Sequence, residues 1–367
     1  MKKILPLAEP VIDSFAGYAA MNHIVLQEES GQSWFVQNFF KPIVLYPESY
    51  EYVCFDYLNM DTLHLSSCAS FQPESYVNWP VDTFSIPVSM IGAEEFLDFV
   101  KRQIEDEYYV MVYLNWMYLP RYGYTGNGTH EIFIYGYDDE KEEIYTTGYL
   151  PGKTYQKLTH SYQEVREAYV HMDVFWHGGI LEHMNAHLNR DLNKICLLKK
   201  KYSFQFQFSI QTFLKDLKQY LHVEEVNFGV QFAICFTDEK QNMAHGNQLY
   251  DVYANYMRKC CEGQETIDLT TPYAIYNHME GMLYKIKYML KKGYSKDSSL
   301  EEDYEKVVKA GKAFLFTAMH YIQQIESKRK ISKESGIKMQ NQLLHVKTEE
   351  EVILRKLLSQ LVEKQYE

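Results

Sequence analysis

The stretch Thr129–Leu150, THEIFIYGYDDEKEEIYTTGYL, sets the reading of the whole chain. His130 stands at the mouth of an alternating run that ends at Gly136-Tyr137-Asp138-Asp139. A charged turn follows, and Glu143–Tyr149 returns as a second strand. Alternation on either side of a turn rich in Gly and Asp predicts an antiparallel hairpin. Glu131 directly follows His130, so alternation sends the two side chains to opposite faces and no pairing between them is expected. Asp138 and Asp139 suit a solvated turn. They are also candidates to orient His130 from that turn.

Upstream, Tyr108–Leu114 (YYVMVYL) is rich in β-branched and aromatic residues and precedes the turn-forming Gly126-Asn127-Gly128, which predicts a buried strand. Ala93–Ile104 has helical periodicity through Phe96, Leu97, Val100 and Ile104. Residues 13–28 predict a first helix, capped by Asp13 or Ser14. Gly17 lies in its first turn, where glycine costs about 1 kcal/mol relative to alanine. A glycine at that place points to a group approaching the backbone closely. Trp34–Leu45 predicts a short helix entering a strand, Tyr50–Tyr57 a strand, and 63–78 irregular polar chain.

Downstream, Ser161–Val170 predicts a short helix and 175–205 an irregular bridge. Tyr202–Ile210 (YSFQFQFSI) alternates as a strand, and Thr212–Leu221 predicts a helix. From Gly246 the chain reads as helical. Thr271-Pro272 starts one helix and Gly293 ends it. Ser299 with Glu302, and Thr348 with Glu351, are capping-box pairs that start two more. The predicted class is α+β. An N-terminal domain over 1–200 carries an antiparallel sheet, and a mixed, then mainly helical C-terminal domain covers 201–367.

A net charge of −12 argues against nucleic acid and against an anionic membrane as partners. No apolar run approaches the ~20 residues that span a bilayer, and Glu9, Pro10 and Asp13 interrupt the start where a signal peptide would need an apolar core. The six cysteines (54, 68, 196, 235, 260, 261) have no metal-ligand spacing, which fits a reduced, cytoplasmic chain. Tyrosine alone accounts for 32 residues, which favours wide amphipathic surfaces or clefts over a solvated tail.

The candidate catalytic residues are His130, as a general base, and Cys68 and Cys54, as thiol nucleophiles if the chain folds back over His130. Each also has a plainer reading, as a strand-edge histidine or as small buried hydrophobes. Ser14 offers a hydroxyl, or simply a cap. Trp116, Tyr118, Tyr122 and Tyr124, with Tyr113, cluster just ahead of His130 as candidate substrate-binding residues, joined by Gly17. The same rings suit sheet packing equally well. His183 and His187 are one helical turn apart, with His177 nearby, but no carboxylate completes a zinc pattern, and neither a metal nor another cofactor is expected.

Tyr109–Tyr149 resembles the central part of the butirosin biosynthesis protein H N-terminal domain family, and more widely the papain-like peptidases, including the double-glycine leader peptidases. In that family a cysteine starts the first helix, a histidine heads a strand that ends in a GYD-type turn, and an Asp or Asn ends the next strand. Ile4-Leu5-Pro6-Leu7, Ser33-Trp34-Phe35, Asn38-Phe39 and the helices from Thr271 and Leu300 resemble a sub-group found in peptide natural-product clusters. The resemblance implies a papain-like N-terminal domain with His130 as its histidine. It puts the acid at or near Gly148 or Thr147, and the nucleophile near Ala16, Gly17 or Tyr18, none of which carries that chemistry.

Two functions follow from the resemblance. One is amide-forming acyl transfer from a carrier-protein thioester to an amine, with His130 as base and no enzyme nucleophile. The other is a pseudoenzyme that binds a carrier protein, a peptide or a metabolite. The implied partners are a peptidyl or acyl carrier protein and a small amine or peptide. Lys199-Lys200-Lys201 or 328–333 (KRKISK) would supply the basic docking patch.

Overall fold

A computed structural model describes residues 1–39, 42–50, 53–57, 80–123, 128–150, 154–172, 194–224, 241–263, 267, 269–327 and 334–363. The fold is α+β, and the chain divides into two compact units: Met1–Trp34 with Asp61–Gln207, and Phe35–Met60 with Phe208–Glu367.

The first unit is built on a seven-stranded antiparallel sheet. Its strands are β1 (Lys2–Ile4), β4 (Val81–Pro87), β5 (Tyr109–Asn115), β6 (Thr129–Asp138), β7 (Glu143–Leu150), β8 (Thr154–Ser161) and β9 (Lys194–Lys200). The order is β4-β9-β5-β6-β7-β8, with β1 added along the far end of β6. The hairpin expected from the sequence is β6–β7, paired from Phe133↔Thr147 to Asp138↔Glu143 with a bulge between Ile134 and Gly136. Among the described residues three helices belong wholly to this unit: α1 (Ala16–Val25), α3 (Phe96–Glu105) and α4 (Tyr162–Val170); α2 (Glu29–Asn38) contains the point where the chain passes between units. All ten residues of α1 are buried, so this helix is core on every side.

The turn that ends β6 is occupied by the fold itself. β1 pairs there as Lys2↔Asp138, Lys3↔Tyr137 and Ile4↔Gly136. A Cβ on Gly136 would lie 2.8 Å from the Lys3 carbonyl oxygen and 3.0 Å from the Ile4 Cα, so only glycine lets β1 in. Asp138 meets Lys2 Nζ at 3.2 Å and accepts the Glu140 amide at 3.1 Å. Asp139 accepts from the Tyr162 hydroxyl at 2.8 Å and from Lys101 Nζ at 3.3 Å. Asp138 stands eight positions along the strand from His130, about 26 Å at ~3.3 Å per residue, so neither aspartate orients His130.

The second unit pairs a three-stranded antiparallel sheet, in the order β10-β2-β3, with long helices. Its strands are β2 (Pro42–Pro47), β3 (Cys54–Tyr57) and β10 (Gln241–His245); its helices are α5 (Ile210–Tyr220), α6 (Leu249–Gly263), α7 (Thr270–Lys291), α8 (Ser299–Glu326) and α9 (Glu334–Glu363). The division expected at residue 200 falls at 207. Phe35–Met60 groups with the second unit rather than the first because β2 pairs with β10.

Several local expectations are corrected. The first helix starts at Ala16, behind Phe15, which makes no side-chain cap. Neither Asp13 nor Ser14 is its cap. Asn22 of the helix accepts the Val11 and Ile12 amides at 3.0 and 3.1 Å and holds the preceding chain extended. Tyr202–Ile210 is not a strand: the Phe206 amide donates to Ser30 Oγ at 2.7 Å, and the Phe204 and Phe206 rings stack at 6.2 Å. The strand lies in the stretch expected to be irregular, as β9, where Ile195–Leu198 is a buried run between lysines. Thr348 and Glu351 start nothing, because α9 runs unbroken through them and Thr348 Oγ1 donates to the Leu344 carbonyl at 2.9 Å. The first turn of α8 is capped by Asp297, which accepts the Ser299 amide at 3.1 Å, rather than by a Ser299–Glu302 box.

Candidate functional site

Alternation sorts the two faces of the first unit's sheet. Phe133 of β6 stacks on His23 of α1 at 5.8 Å and on Tyr109 at 5.3 Å. Thr147, opposite Phe133, lies 2.5 Å from the Tyr155 hydroxyl, which lies 3.1 Å from His23 Nε2. The Tyr149 hydroxyl donates to the Asp13 carbonyl just ahead of α1. The face carrying Phe133, Thr147 and Tyr149 therefore receives α1, including its start. His130 is three positions before Phe133 and projects to the other face.

On that second face His130 begins a column of rings. Its imidazole stacks on Trp116 at 4.2 Å, Trp116 on Tyr122 at 4.6 Å, and Tyr122 on His160 at 5.2 Å. Trp116 is held by a short 3₁₀ turn, Trp116–Tyr118, behind Asn115. The Asn115 side chain accepts the Met117 amide at 3.1 Å and donates to the His171 carbonyl at 2.8 Å. Tyr122 follows in a second such turn, Pro120–Tyr122, and is fully buried. Tyr118 stacks instead on His171 at 4.5 Å and remains half-buried.

His130 has a carboxylate neighbour that alternation did not foresee. Its Nδ1 is shielded from solvent and lies 2.8 Å from Glu131 Oε2, at an angle short of a proper hydrogen bond. The reason is the end of the ladder. Pairing of β6 with β7 begins only at Phe133, so among the described residues Thr129–Ile132 are paired on the β5 side alone. The long Glu131 side chain folds back around that open edge. The His130 side chain is 28% exposed, which leaves part of the ring accessible.

The acid position expected on the return strand is filled by a ring. A Cβ on Gly148 would lie 2.4 Å from Tyr122 Cε1 and 2.5 Å from its hydroxyl oxygen. Thr147, the other acid position, bonds to Tyr155 on the α1 face. The expected nucleophile positions Ala16, Gly17 and Tyr18 are buried against the face opposite His130. Gly17 is thus inside the core rather than on a binding surface, and Ser14 is buried as well. Cys68, Tyr124, His177, His183, His187 and 328–333 lie outside the described residues. Cys54 opens β3 in the second unit, described there by its backbone. Cys196, Cys260 and Cys261 are buried, and burial pushes the Cys261 thiol up to about 11, away from thiolate reactivity.

His23 and His160 went unremarked in the sequence because neither belongs to a motif. Both are buried, and burial lowers each imidazole to about 4. His23 Nδ1 lies 2.7 Å from the Ala8 carbonyl, an acceptor only. A neutral His23 therefore carries its proton on Nδ1, and Nε2 accepts from Tyr155. Neither ring nitrogen of His160 has a hydrogen-bond partner among the described residues.

Among the described residues no three His, Cys, Asp or Glu side chains converge as metal ligands, and no helix is long and apolar enough to cross a membrane. Lys199 donates to the Asp106 carbonyl at 2.7 Å, and Lys200 pairs with Glu28, so two lysines of the expected basic patch are engaged within the fold. No protein-family model matches the chain, and no curated protein matches it.

Proposed function

We propose that this protein forms amide bonds by acyl transfer from a carrier-protein thioester to an amine, with His130 as general base and Glu131 as the carboxylate that positions it. The observation that carries this reading is the His130–Glu131 contact of 2.8 Å beside a partly exposed ring. An acceptor at Nδ1 favours the tautomer that leaves the Nε2 lone pair free to take a proton. Trp116, stacked flat on the imidazole, limits its rotation.

In the reaction Nε2 takes the proton of the attacking amine as its nitrogen bonds to the thioester carbon. The carbon–sulfur bond then breaks, and the carrier thiolate leaves and takes up the proton. No enzyme thiol takes part, because the thioester is already activated. The substrate class comes from the resemblance to the butirosin protein H family; the dyad comes from this chain's own residues.

The test is amide yield from a loaded carrier protein and an amine, with His130→Ala and Glu131→Gln beside the unaltered chain. Loss of a general base lowers such rates by about 10²–10⁴-fold. Glu131→Gln should cost less, because the amide oxygen can still accept at Nδ1. Unchanged yield with His130→Ala would sink the proposal.

A second reading has its own support. The start of α1 packs on the face away from His130, and Tyr122 occupies the space an acid at Gly148 would need. A binding protein on the same scaffold keeps the column of rings beside His130 and needs neither group. It would retain a carrier protein or peptide with no turnover by either the unaltered chain or His130→Ala.

A further inference from the structure

The second unit holds buried polar chemistry that the proposed reaction does not use. Glu350 of α9 is fully buried, and Tyr220 of α5 donates to its Oε2 at 2.6 Å. Tyr304 of α8 donates to the other carboxylate oxygen. The Tyr220 hydroxyl also lies 3.1 Å from Nε2 of His278 on α7. Two turns further along α7, Lys285 donates to the Gly281 carbonyl at 3.1 Å, with its Nζ 5.4 Å from the Phe35 ring centre. Tyr250 of α6 adds a third hydroxyl that favours the ionised form of Glu350. Five helices thus direct polar groups to one buried locus, and none of these six residues is more than 1% exposed.

A buried carboxylate or ammonium is costly, and such groups tend to neutralise rather than stay charged. Burial pushes Glu350 up to about 7, against the opposing tyrosine hydroxyls, with the neighbouring Glu351 adding to the rise. Burial pulls Lys285 down to about 7, against the attraction of Glu350. His278 is held well below its ordinary range by burial, with Lys285 adding to the effect, so it stays neutral while its neighbours titrate. Half-exposed charges on the same helices include Glu351, paired with Arg355 at 2.7 Å, and the Lys347–Asp251 pair between α9 and α6 at 2.6 Å.

We propose that this cluster is a proton-binding latch, in which Glu350 exchanges one proton and Tyr220 relays the change to His278 by reversing its hydrogen bonds. With Glu350 ionised, Tyr220 donates to Oε2 and accepts Nε2–H of His278. With Glu350 protonated, its hydroxyl donates to the Tyr220 oxygen, and Tyr220 donates to Nε2 of His278, whose proton now sits on Nδ1. Heavy atoms keep their places, and only hydrogens move. Neutralising Glu350 also removes the attraction that favours the charged form of Lys285.

The experiment is infrared difference spectroscopy on the full chain, with labelled glutamate, titrated through the neutral range. The carbonyl band of a protonated carboxyl should grow as the pH falls through neutrality and be absent in Glu350→Gln. A titration without such a band, or the same band in Glu350→Gln, overturns the proposal. Should Glu350→Gln fail to fold, Tyr220→Phe keeps the ring and removes one hydrogen bond to the charged form. Its midpoint should move up by about one pH unit. A midpoint equal to that of the unaltered chain overturns the relay.

Discussion

His160 tests how far burial alone can set the chemistry of a residue. Its folded-state value of about 4 lies below the ~6.5 of an unfolded histidine, and the cause is desolvation. Between those values the unfolded chain binds more protons than the folded one. The contribution is therefore fully present above pH ~6.5 and is lost as the pH falls towards 4, by about 3 kcal/mol at ~1.4 kcal/mol per unit. His23 follows the same sign, with a value of about 4 from the same cause. Replacing His160 by Phe deletes two ring nitrogens that have no hydrogen-bond partner among the described residues, so stability at neutral pH should hold or rise. The acid limb of stability against pH, measured by urea unfolding, should flatten. A limb as steep as before would show that His160 does not titrate there. His130 was legible because its strand and turn form a pattern. Glu131 was not, since alternation assumes pairing on both edges and β7 joins β6 only at Phe133. For Tyr122 the sequence leaves a cleft role and sheet packing equally open, and its close approach to Gly148 decides for packing.

At the scale of elements, the hairpin and the helices α6, α7 and α8 were readable because hydrophobic period and turn chemistry agree there, whereas the start of α9 was not. β1 was not, since three residues carry no period of their own; its place is set by a glycine on another strand. Gly136→Ala makes this a measurement. The added methyl meets the Lys3 carbonyl oxygen at 2.8 Å, and the backbone of β1 must move away. Overpacking of this kind costs about 1–3 kcal/mol. The loss should appear as a lower urea midpoint and as faster amide exchange at Lys3 and Leu5, the residues whose amides face β6. Exchange there equal to that of the unaltered chain would mean that β1 pairing does not depend on the glycine. Alternation misled at Tyr202–Ile210 for a related reason. A period of two describes which side chains could share a face, whereas a strand also needs a neighbour for its backbone. Here the Phe206 and Ser209 amides are satisfied by side chains, Ser30 and Gln37.

For the whole molecule, the α+β class could be read from the sequence but the partition of the chain could not. Composition changes little across Trp34–Phe35, so nothing local marks the point where Phe35–Met60 leaves the first unit. The tie is a long-range one: β2 lies between β10 and β3, with Ile43↔His245 and Val44↔Phe55 as partners. Such a pairing depends on residues about 200 positions apart, which no window of sequence captures. The partition has a direct consequence for fragments. A chain of residues 208–367 contains α5 to α9 but leaves β10 without β2, and removes Ile43, Val44 and Phe55 from its core. An unpaired edge and exposed apolar helix faces are costly and prone to aggregation. This fragment should therefore unfold without cooperativity or associate. Joining 35–60 to its start through a flexible linker should restore a single sharp transition by circular dichroism, because it returns the missing strands. A cooperative monomer from 208–367 alone would show that the helices carry the unit without its sheet.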